Sequence, residues 1–336
     1  MSQINLVDLF KQLKQPTTKA SEKDANFSAL PIPDFESHRL AKDINNFPCL
    51  LISTQDKTEV KRPAPIKLEY LDVMYDVNCR ISYKGALENN RFTVICCKTF
   101  DASMQEYFLR TSNTIIELIG DSPTSKQVSK AVDNLVELFR VLKESPKKSV
   151  QGIWAEVFLI SISSNPLRLL KAWHQEPDDK FDFSEDNQRI EVKSATSSTS
   201  RKHHFSLEQL NPAKGVEAIV ASVFVERVGA GTSLVNLLET VKEKMGNEPE
   251  YLLYLEQMIA TTLGNNWRQA TKDTFDYQLA KKNVKFFNVN AIPSVDINFP
   301  KVISKVHFMV DLTNIPFIDK KFFKEKENLF KAVSTK

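Results

Sequence analysis

Short runs of apolar residues separated by polar ones fill the first third of the chain. After an amphipathic segment at 6–13, β-branched and aromatic residues predict strands at 49–52, 66–73, 77–83 and 91–99. Residues 107–119 fit either a strand or a helix, and their composition favours a strand at the start of the segment. We therefore expect a strand-rich N-terminal domain over 1–123, and its residues do not decide between a scaffold and a recognition role.

Helical periodicity begins at 127–143, where apolar residues recur every three or four positions. A second helix, predicted at about 150–163, is largely apolar and contains one acid, Glu156. Burial of a lone carboxylate is costly unless the group is paired or binds a metal ion. Glu156 therefore lies either on a narrow polar side of this helix or in a charged site.

The stretch FDFSEDNQRIEVK at 181–193 has the period-two pattern of a β-hairpin. Apolar residues alternate with Asp182 in its first half and with Glu191 and Lys193 in its second half, and a polar loop of about four to five residues separates the halves. With the turn centred between residues 186 and 187, Phe183 pairs with Ile190. Asp182 then lies directly opposite Glu191.

Two facing carboxylates repel each other, because their Cβ atoms are only about 5 Å apart. A divalent cation relieves this repulsion, and Mg²⁺ prefers oxygen ligands of this kind. Lys193 lies on the same face, where its ammonium can hold an attacking water or neutralise charge on a phosphate. The alternative is an exposed hairpin face on which Lys193 screens the two acids.

Glu156 on a helix, followed by Asp182 and then by the EVK sequence at 191–193 on consecutive strands, resembles the PD-(D/E)XK nuclease superfamily. More narrowly, residues 152–210 are similar to a bacterial family assigned to that superfamily and often found near phage-defence genes. The matching features are Gly152 with Glu156, then Trp173, FDF at 181–183, EVK at 191–193 and HHFSLEQL at 203–210. The resemblance implies an α/β (α+β) fold, in which a restriction-endonuclease-like core accompanies the strand-rich N-terminal domain.

The resemblance also implies metal-dependent hydrolysis of phosphodiester bonds, with Mg²⁺ as the ion and Mn²⁺ as a substitute. Asp182, Glu191 and Glu156 are the expected metal ligands. Together with Lys193, they are the expected catalytic residues.

Other acids also match the name of the superfamily. Asp34 and the EVK sequence at 59–61 lie among prolines, which do not continue an interior strand, so we reject them. Asp178 and Asp179 precede the hairpin, whereas cross-strand pairing places Asp182 beside Glu191. We therefore prefer Asp182.

Basic and polar side chains follow the hairpin. Arg201, Lys202 and His204 can contact a DNA backbone, although a surface loop and a structural histidine explain the same composition. Ser206 and Gln209 form a predicted capping box that opens a short helix. Several nucleases of the superfamily carry a glutamine after the lysine strand, so the resemblance implies that Gln209 supports the site or contacts a phosphate.

The remaining pattern completes and extends this core. A buried strand at 216–228 can complete the nuclease sheet, and helices at 233–244 and 250–263 precede strands at 284–289 and 302–310. The superfamily core places three strands after its first helix, yet residues 166–173 look helical. The first strand is therefore reduced to a few residues near 173–175, or the topology is modified. We expect the nuclease-like core at 124–230 and a mixed C-terminal extension at 231–336 that can contact DNA.

Composition sets the outer limits. A chain of 336 residues with 42% hydrophobic and 26% charged residues is typical of a globular protein, and a net charge of +3 is too small to indicate nucleic-acid binding. The sequence has no signal-peptide pattern and no run long enough for a membrane span, so we expect no membrane partner and a cytoplasmic location. The four cysteines lack metal-binding spacing, and we expect buried thiols in a reducing compartment.

The leading hypothesis is a Mg²⁺-dependent endodeoxyribonuclease of restriction or phage defence. DNA is the expected partner, a homodimer is reasonable because cleavage of both strands needs two sites, and defence-system proteins are further candidate partners. The alternative is a catalytically silent DNA-binding or scaffold subunit of a multi-protein defence system. The intact set of Asp182, Glu191 and Lys193 argues against it, because a silent subunit would be free to lose one member.

Overall fold

The computed structural model describes residues 5–16, 25–56, 63–83, 86–174, 179–196, 199–246, 248–295 and 305–333. By its internal contacts the chain divides into two compact units. Unit 1 comprises Met1–Ser145 and Leu252–Arg268, and unit 2 comprises Pro146–Tyr251 and Gln269–Lys336. The functional ranges 1–123, 124–230 and 231–336 remain predictions. In the part of the chain that the structure describes, no helix is both long and apolar enough to span a bilayer.

A barrel-like sheet forms most of unit 1. Its elements are α1 (Leu6–Gln12), β1 (Ala25–Ile32), β2 (Phe35–Lys42), β3 (Pro48–Ile52), β4 (Ile66–Lys67), β5 (Leu71–Tyr83), β6 (Ala86–Cys97), α2 (Ala102–Ile119) and α3 (Ser125–Val141). The strand order is β1-β2-β3-β6-β5-β4, and a parallel pairing of β1 with β5 closes the sheet on itself. Closure removes open edges, which would otherwise be free to pair with other chains.

The interior of this barrel is apolar. Its strands contribute Phe27, Ala29, Ala41, Cys49, Leu51, Cys79, Ile81, Phe92, Val94 and Cys96 to one buried cluster. Burial of this apolar surface is the main force that stabilises unit 1.

The strand predicted at 49–52 is found as β3, and the one at 91–99 overlaps β6. The strands predicted at 66–73 and 77–83 are found as the short β4 and the single long β5, and the predicted helix at 127–143 is found as α3. Of the two conformations left open for 107–119, the helix is found, and the strand favoured at the start of the segment is wrong, because these residues belong to α2. Asp101 caps α2 by accepting from the backbone N–H groups of Ser103 and Met104. Phe108 and Ile115 are buried at helical spacing, so packing decides the conformation of this segment over β propensity.

The expectation of four buried thiols is also corrected. Cys49 of β3 lies opposite Cys96 of β6, and a disulfide joins the two residues. Directly opposed cysteines on neighbouring antiparallel strands are close enough for this bond. Cys79 and Cys97 are free and buried, as expected.

A distant segment of the sequence returns to unit 1. Thr114 of α2 donates from Oγ1 to Glu256 Oε1 at 3.2 Å, and Asn265 N donates to the carbonyl oxygen of Glu144 at 2.9 Å. Gly264 has φ of +47°, and a Cβ at this position would lie 2.2 Å from the same carbonyl oxygen. Only glycine therefore fits where this segment meets the end of residues 1–145.

Unit 2 mixes helices with a small central sheet. Its elements are α4 (Val150–Ile162), α5 (Pro166–Ala172), β7 (Phe183–Glu185), β8 (Gln188–Ala195), β9 (Lys202–Ser206), α6 (Leu207–Leu210), β10 (Glu217–Phe224), β11 (Arg227–Ser233), α7 (Leu234–Met245), β12 (Thr274–Phe275), α10 (Tyr277–Asn283), β13 (Lys285–Asn288), β14 (His307–Asp311), α11 (Lys320–Glu325) and α12 (Asn328–Ala332). Helices α8 (Pro249–Leu263) and α9 (Trp267–Lys272) contain the boundaries between the units.

The central sheet of unit 2 has the order β13-β10-β8-β7. β10 runs parallel to β8, so the predicted strand at 216–228 completes the sheet. α4 packs against β8, and all of its residues are buried except Gln151 and Gly152. An apolar surface on every side is what keeps such a helix inside a fold.

The hairpin register is confirmed, since Phe183 pairs with Ile190. The turn is tighter than predicted. Only residues 186 and 187 lie between the strands, and Asp186 adopts a φ of +48°. Before the hairpin, Trp173 forms one isolated bridge to Phe183, which fits the prediction of a first strand reduced to a few residues. β14 pairs with β9 and overlaps the predicted strand at 302–310 but extends to Asp311, and residues 302–304 of the prediction fall outside the described part.

Candidate active site

Four acids are buried in the described part of unit 2, and three of them are the acids of the predicted motif. Glu156 lies in α4, Asp182 directly precedes β7, and Glu191 lies in β8, with exposed fractions of 2%, 5% and 5%. Charged groups are rarely buried this deeply without partners. The partners of these carboxylates therefore define the chemistry of the site.

The first acid of the hairpin is fixed by backbone groups. Asp182 Oδ2 accepts from Val192 N at 2.7 Å, and its carbonyl oxygen accepts from His174 N at 3.0 Å. These bonds hold Asp182 between the hairpin and the segment that follows α5. The ladder of β7 and β8 itself stops at Phe183.

Lys148 provides the main counter-charge, although the sequence pattern did not indicate it. Its Nζ lies 2.6 Å from Glu156 Oε1 and 2.5 Å from Asp182 Oδ1. Lys148 directly precedes Ser149, whose hydroxyl caps α4 by accepting from Gly152 N. The start of the helix therefore positions the ammonium between two acids.

Trp173 and His174 complete the surroundings of Glu156. Trp173 Nε1 donates to Glu156 Oε2 at 2.8 Å, and His174 Nε2 lies 2.9 Å from the same oxygen. His174 Nε2 also lies 3.2 Å from Lys148 Nζ, but one ring nitrogen cannot donate and accept at once. Because Glu156 can only accept when ionised, we assign the proton of His174 Nε2 to the bond with Glu156.

A second lysine serves the third acid. Lys193 Nζ lies 2.7 Å from Glu191 Oε1 and 3.1 Å from Gln209 Oε1. Gln209 also donates from Nε2 to the carbonyl oxygen of Lys180 at 3.0 Å, and it forms the predicted capping box with Ser206. The glutamine at the start of α6 therefore fixes the ammonium of Lys193.

Burial and mutual repulsion shift the protonation of the acids. Burial and the charge of Asp182 raise the pKa of Glu191 to about 8, and burial together with the charge of Glu156 raises the pKa of Asp182. Burial opposes the charge of Glu156, yet the bond from His174 and the charge of Lys148 lower its pKa. For Lys148, burial is likewise outweighed by the two carboxylates, which raise its pKa.

These acids fit a divalent cation. Three carboxylates face two ammonium groups, and burial together with the charge of Asp182 raises the pKa of Glu191. A cation bound beside Glu191 would favour its ionised form. Ligand atoms of Glu156, His174 and Asp182 also lie within 4.8 Å of one another. Oxygen donors in excess of positive charge suit Mg²⁺ or Mn²⁺.

The family of the chain agrees with this geometry. A family model described as "Putative PD-(D/E)XK family member, (DUF4420)" matches residues 6–313. The chain belongs to this family. No curated protein and no solved structure matches the chain.

Membership in this family indicates a nuclease-like function. PD-(D/E)XK proteins are generally nucleases that use divalent metal ions and act on DNA, so a hydrolase is the coarse assignment. The acids and the lysine expected from the motif, Glu156, Asp182, Glu191 and Lys193, all lie in unit 2. The charge of Glu156 raises the pKa of Asp182, and the charge of Asp182 raises the pKa of Glu191, so neighbouring acids of the set interact.

The residues expected to contact DNA are placed differently from one another. Lys202 and His204 are exposed on one face of β9, and Arg201 is 4% exposed. The Arg201 guanidinium donates to Ser222 and to the carbonyl oxygen of Asn283 inside unit 2. A phosphate contact by Arg201 is therefore dropped, whereas Lys202 and His204 remain candidates.

Lys148 and His174 are the residues of the site that the sequence did not indicate. Each lies in a connection, where no periodic pattern marks a buried face. Only their positions in the sequence could have indicated these two residues. Lys148 adjoins the cap of α4, and His174 adjoins the tryptophan of the family pattern.

Proposed function

We propose that the protein is a Mg²⁺-dependent endodeoxyribonuclease that acts in restriction or phage defence. The observation that carries the proposal is the burial of Glu156, Asp182 and Glu191 together with the ammonium groups of Lys148 and Lys193. Buried acids oppose folding, so their retention supports a functional role. The defence context rests on the family resemblance.

Each residue of the motif has a role in this proposal. Asp182 and Glu191 hold the ion, and Glu156 completes the acidic set. When bound, the ion neutralises charge on the scissile phosphate and lowers the pKa of a water molecule. Lys193, held by Gln209, donates hydrogen bonds to the attacking water or to the phosphate as negative charge grows.

The DNA backbone would follow the exposed face of β9. Lys202 and His204 lie on this face, and His307 of β14 pairs with Ser206 at its end. Basic side chains along one face supply the sequence-independent part of DNA binding. Cleavage of both strands would need two sites, so we propose a homodimer, located in the cytoplasm with the DNA.

The experiment compares cleavage of supercoiled plasmid and linear DNA with Mg²⁺, with Mn²⁺ and with EDTA. We expect cleavage only with a divalent ion, and an RNA of the same sequence tests the choice of nucleic acid. Asp182→Asn keeps the size of the side chain but removes its charge, and should lower the rate by about 1000-fold. Asp179→Asn is the matched control and should cleave like the wild type.

Two outcomes would contradict the proposal. Cleavage that survives in Asp182→Asn would refute the site assignment. If the protein binds metal but does not cleave DNA, either alone or with the proteins encoded beside it, the alternative is favoured. That alternative is a catalytically silent DNA-binding or scaffold subunit.

A further inference from the structure

The two lysines of the site have different surroundings. Lys193 faces one acid and one amide, whereas Lys148 Nζ lies between two acids, 2.6 Å from Glu156 Oε1 and 2.5 Å from Asp182 Oδ1. The side chain of Lys148 is 33% exposed, while those of its two partners are 3% and 6% exposed. Lys148 therefore reaches from the surface into a buried gap between two carboxylates.

That gap can hold only one cation. A Mg²⁺ or Mn²⁺ ion bound to the same two oxygens would lie at about 2.1 Å from each, which overlaps the position of the ammonium nitrogen. The other oxygen of Glu156 is engaged by two groups, whereas Oδ2 of Asp182 accepts one backbone hydrogen bond and keeps a lone pair for an ion. Trp173 and His174 contact Glu156 Oε2, and the backbone of Val192 contacts Asp182 Oδ2.

The charges of the described acidic cluster also favour a single divalent ion. In their ionised, metal-binding forms Glu156, Asp182 and Glu191 carry three negative charges, and Lys148 and Lys193 balance two of them. One divalent ion would balance this surplus with one charge to spare. A second ion would have to share the cluster with both ammonium groups, which like-charge repulsion opposes.

We propose that Lys148 is a positioning residue that serves as a tethered cation, holding Glu156 to Asp182 and limiting the site to one divalent ion at Asp182 and Glu191. The inference rests on the proposed function, since it takes metal-dependent hydrolysis as the task of the site. It assigns Glu156 to the ammonium group rather than to the ion.

Removal of the ammonium should create a second metal position. Glu156, His174 and Asp182 each offer a ligand atom, and these atoms lie within 4.8 Å of one another. Carboxylate and imidazole ligands together suit Mn²⁺. Lys148→Met keeps the length of the apolar stem and removes the charge, so an ion can take the vacated position.

The test counts Mn²⁺ ions per chain by the electron paramagnetic resonance of free Mn²⁺ near neutral pH. We expect one ion for the wild type, one for Lys148→Arg, which keeps the charge, and two for Lys148→Met. Lys147→Met is the matched control, because Lys147 is the neighbouring exposed lysine, and it should bind one ion.

The difference in the number of bound Mn²⁺ ions between Lys148→Met and the wild type tests the inference. Equal numbers of ions, or a second ion in Lys148→Arg, would overturn it. A Lys148→Met protein that is unfolded in EDTA and folds with Mn²⁺ would support it, and one that stays unfolded in saturating Mn²⁺ would overturn it. The wild-type number separately tests the proposed function, because a wild type that binds no ion would refute metal dependence whatever the difference between variants.

Discussion

The two main sheets of the protein treat charge in opposite ways. The barrel of unit 1 encloses apolar residues and cysteines, whereas the sheet of unit 2 adjoins Glu156, Asp182 and Glu191. An apolar interior stabilises a fold through burial alone, but buried acids reduce stability unless every charge has a partner. Apolar burial therefore stabilises unit 1, whereas unit 2 buries acids at a cost to its stability, which supports the proposed metal site.

The largest expected effect is the loss of activity on removal of Lys193. Lys193→Met should lower DNA cleavage by about 100- to 1000-fold, because the charge that develops on phosphate loses its ammonium partner. Single-turnover cleavage at saturating Mg²⁺ measures the change. Lys180→Met, at an exposed lysine before the hairpin, is the control and should keep the wild-type rate.

The reverse experiment perturbs only the barrel. Replacing Cys49 and Cys96 with alanine opens a sequence separation of 47 residues, which should lower the free energy of unfolding of unit 1 by about 4 kcal/mol. Urea unfolding measures the loss. Mn²⁺ binding should be unchanged, because the acids and lysines of the cluster belong to unit 2. Loss of Mn²⁺ binding in the folded variant would contradict the assignment of metal binding to unit 2 alone.

Acid should weaken unit 2 through a buried histidine. Burial lowers the pKa of His203 from 6.5 to about 4, and its Nε2 lies 2.8 Å from Ser222 Oγ. In the unfolded chain His203 gains its proton near pH 6.5, whereas in the folded chain it does so only near pH 4. The stabilisation from the neutral His203 is therefore fully present above pH 6.5, and the free energy of unfolding falls by about 3 kcal/mol as the pH falls towards 4.

His203→Gln does not titrate in this range and retains a hydrogen-bonding group. The stability difference between wild type and His203→Gln, from urea unfolding near pH 7 and pH 4, should therefore shrink by about 3 kcal/mol on acidification. A difference that is independent of pH would refute this role of the histidine.

The smallest effect separates two buried tryptophans. Trp173 Nε1 donates to the carboxylate of Glu156 at 2.8 Å, and Trp154 Nε1 donates to the carbonyl oxygen of Thr232 at 2.9 Å. Trp173→Phe should destabilise the protein by about 1 kcal/mol more than Trp154→Phe, because hydrogen bonds to charged groups contribute more. Thermal unfolding of the two variants side by side measures the difference, and equal losses would contradict a charged Glu156.

Periodicity predicted the elements that carry the site. The register of Phe183 with Ile190 follows from alternation because a slip by one residue would turn the apolar side chains outward. Glu156 was recognisable as the one acid in an otherwise apolar helix. Lys148 was not recognisable, because its role depends on a side chain that reaches across space from a connection without periodic pattern.

Unit 1 shows where local patterns mislead. Prolines at 31 and 33 argue against strands in the sequence, so β1 and β2 were not predicted. Pro31 nevertheless lies within β1, opposite Arg39. The register shifts between Pro31 and Ile32, and such irregularities are where proline is found in strands. The β-branched residues of α2 favour a strand locally, and the cap at Asp101 and the buried face decide otherwise.

The return of residues 252–268 to unit 1 has a consequence for biosynthesis. The ribosome releases β7, β8 and β10 before this segment, so the strands of unit 2 emerge while unit 1 still lacks Glu256 and Gly264. Unit 1 therefore cannot finish folding before residue 268 has been made, although its first 145 residues leave the ribosome before any part of unit 2. A fragment that ends at Ser145 would therefore leave Thr114 and the Glu144 carbonyl oxygen without these partners until residue 268 has been made.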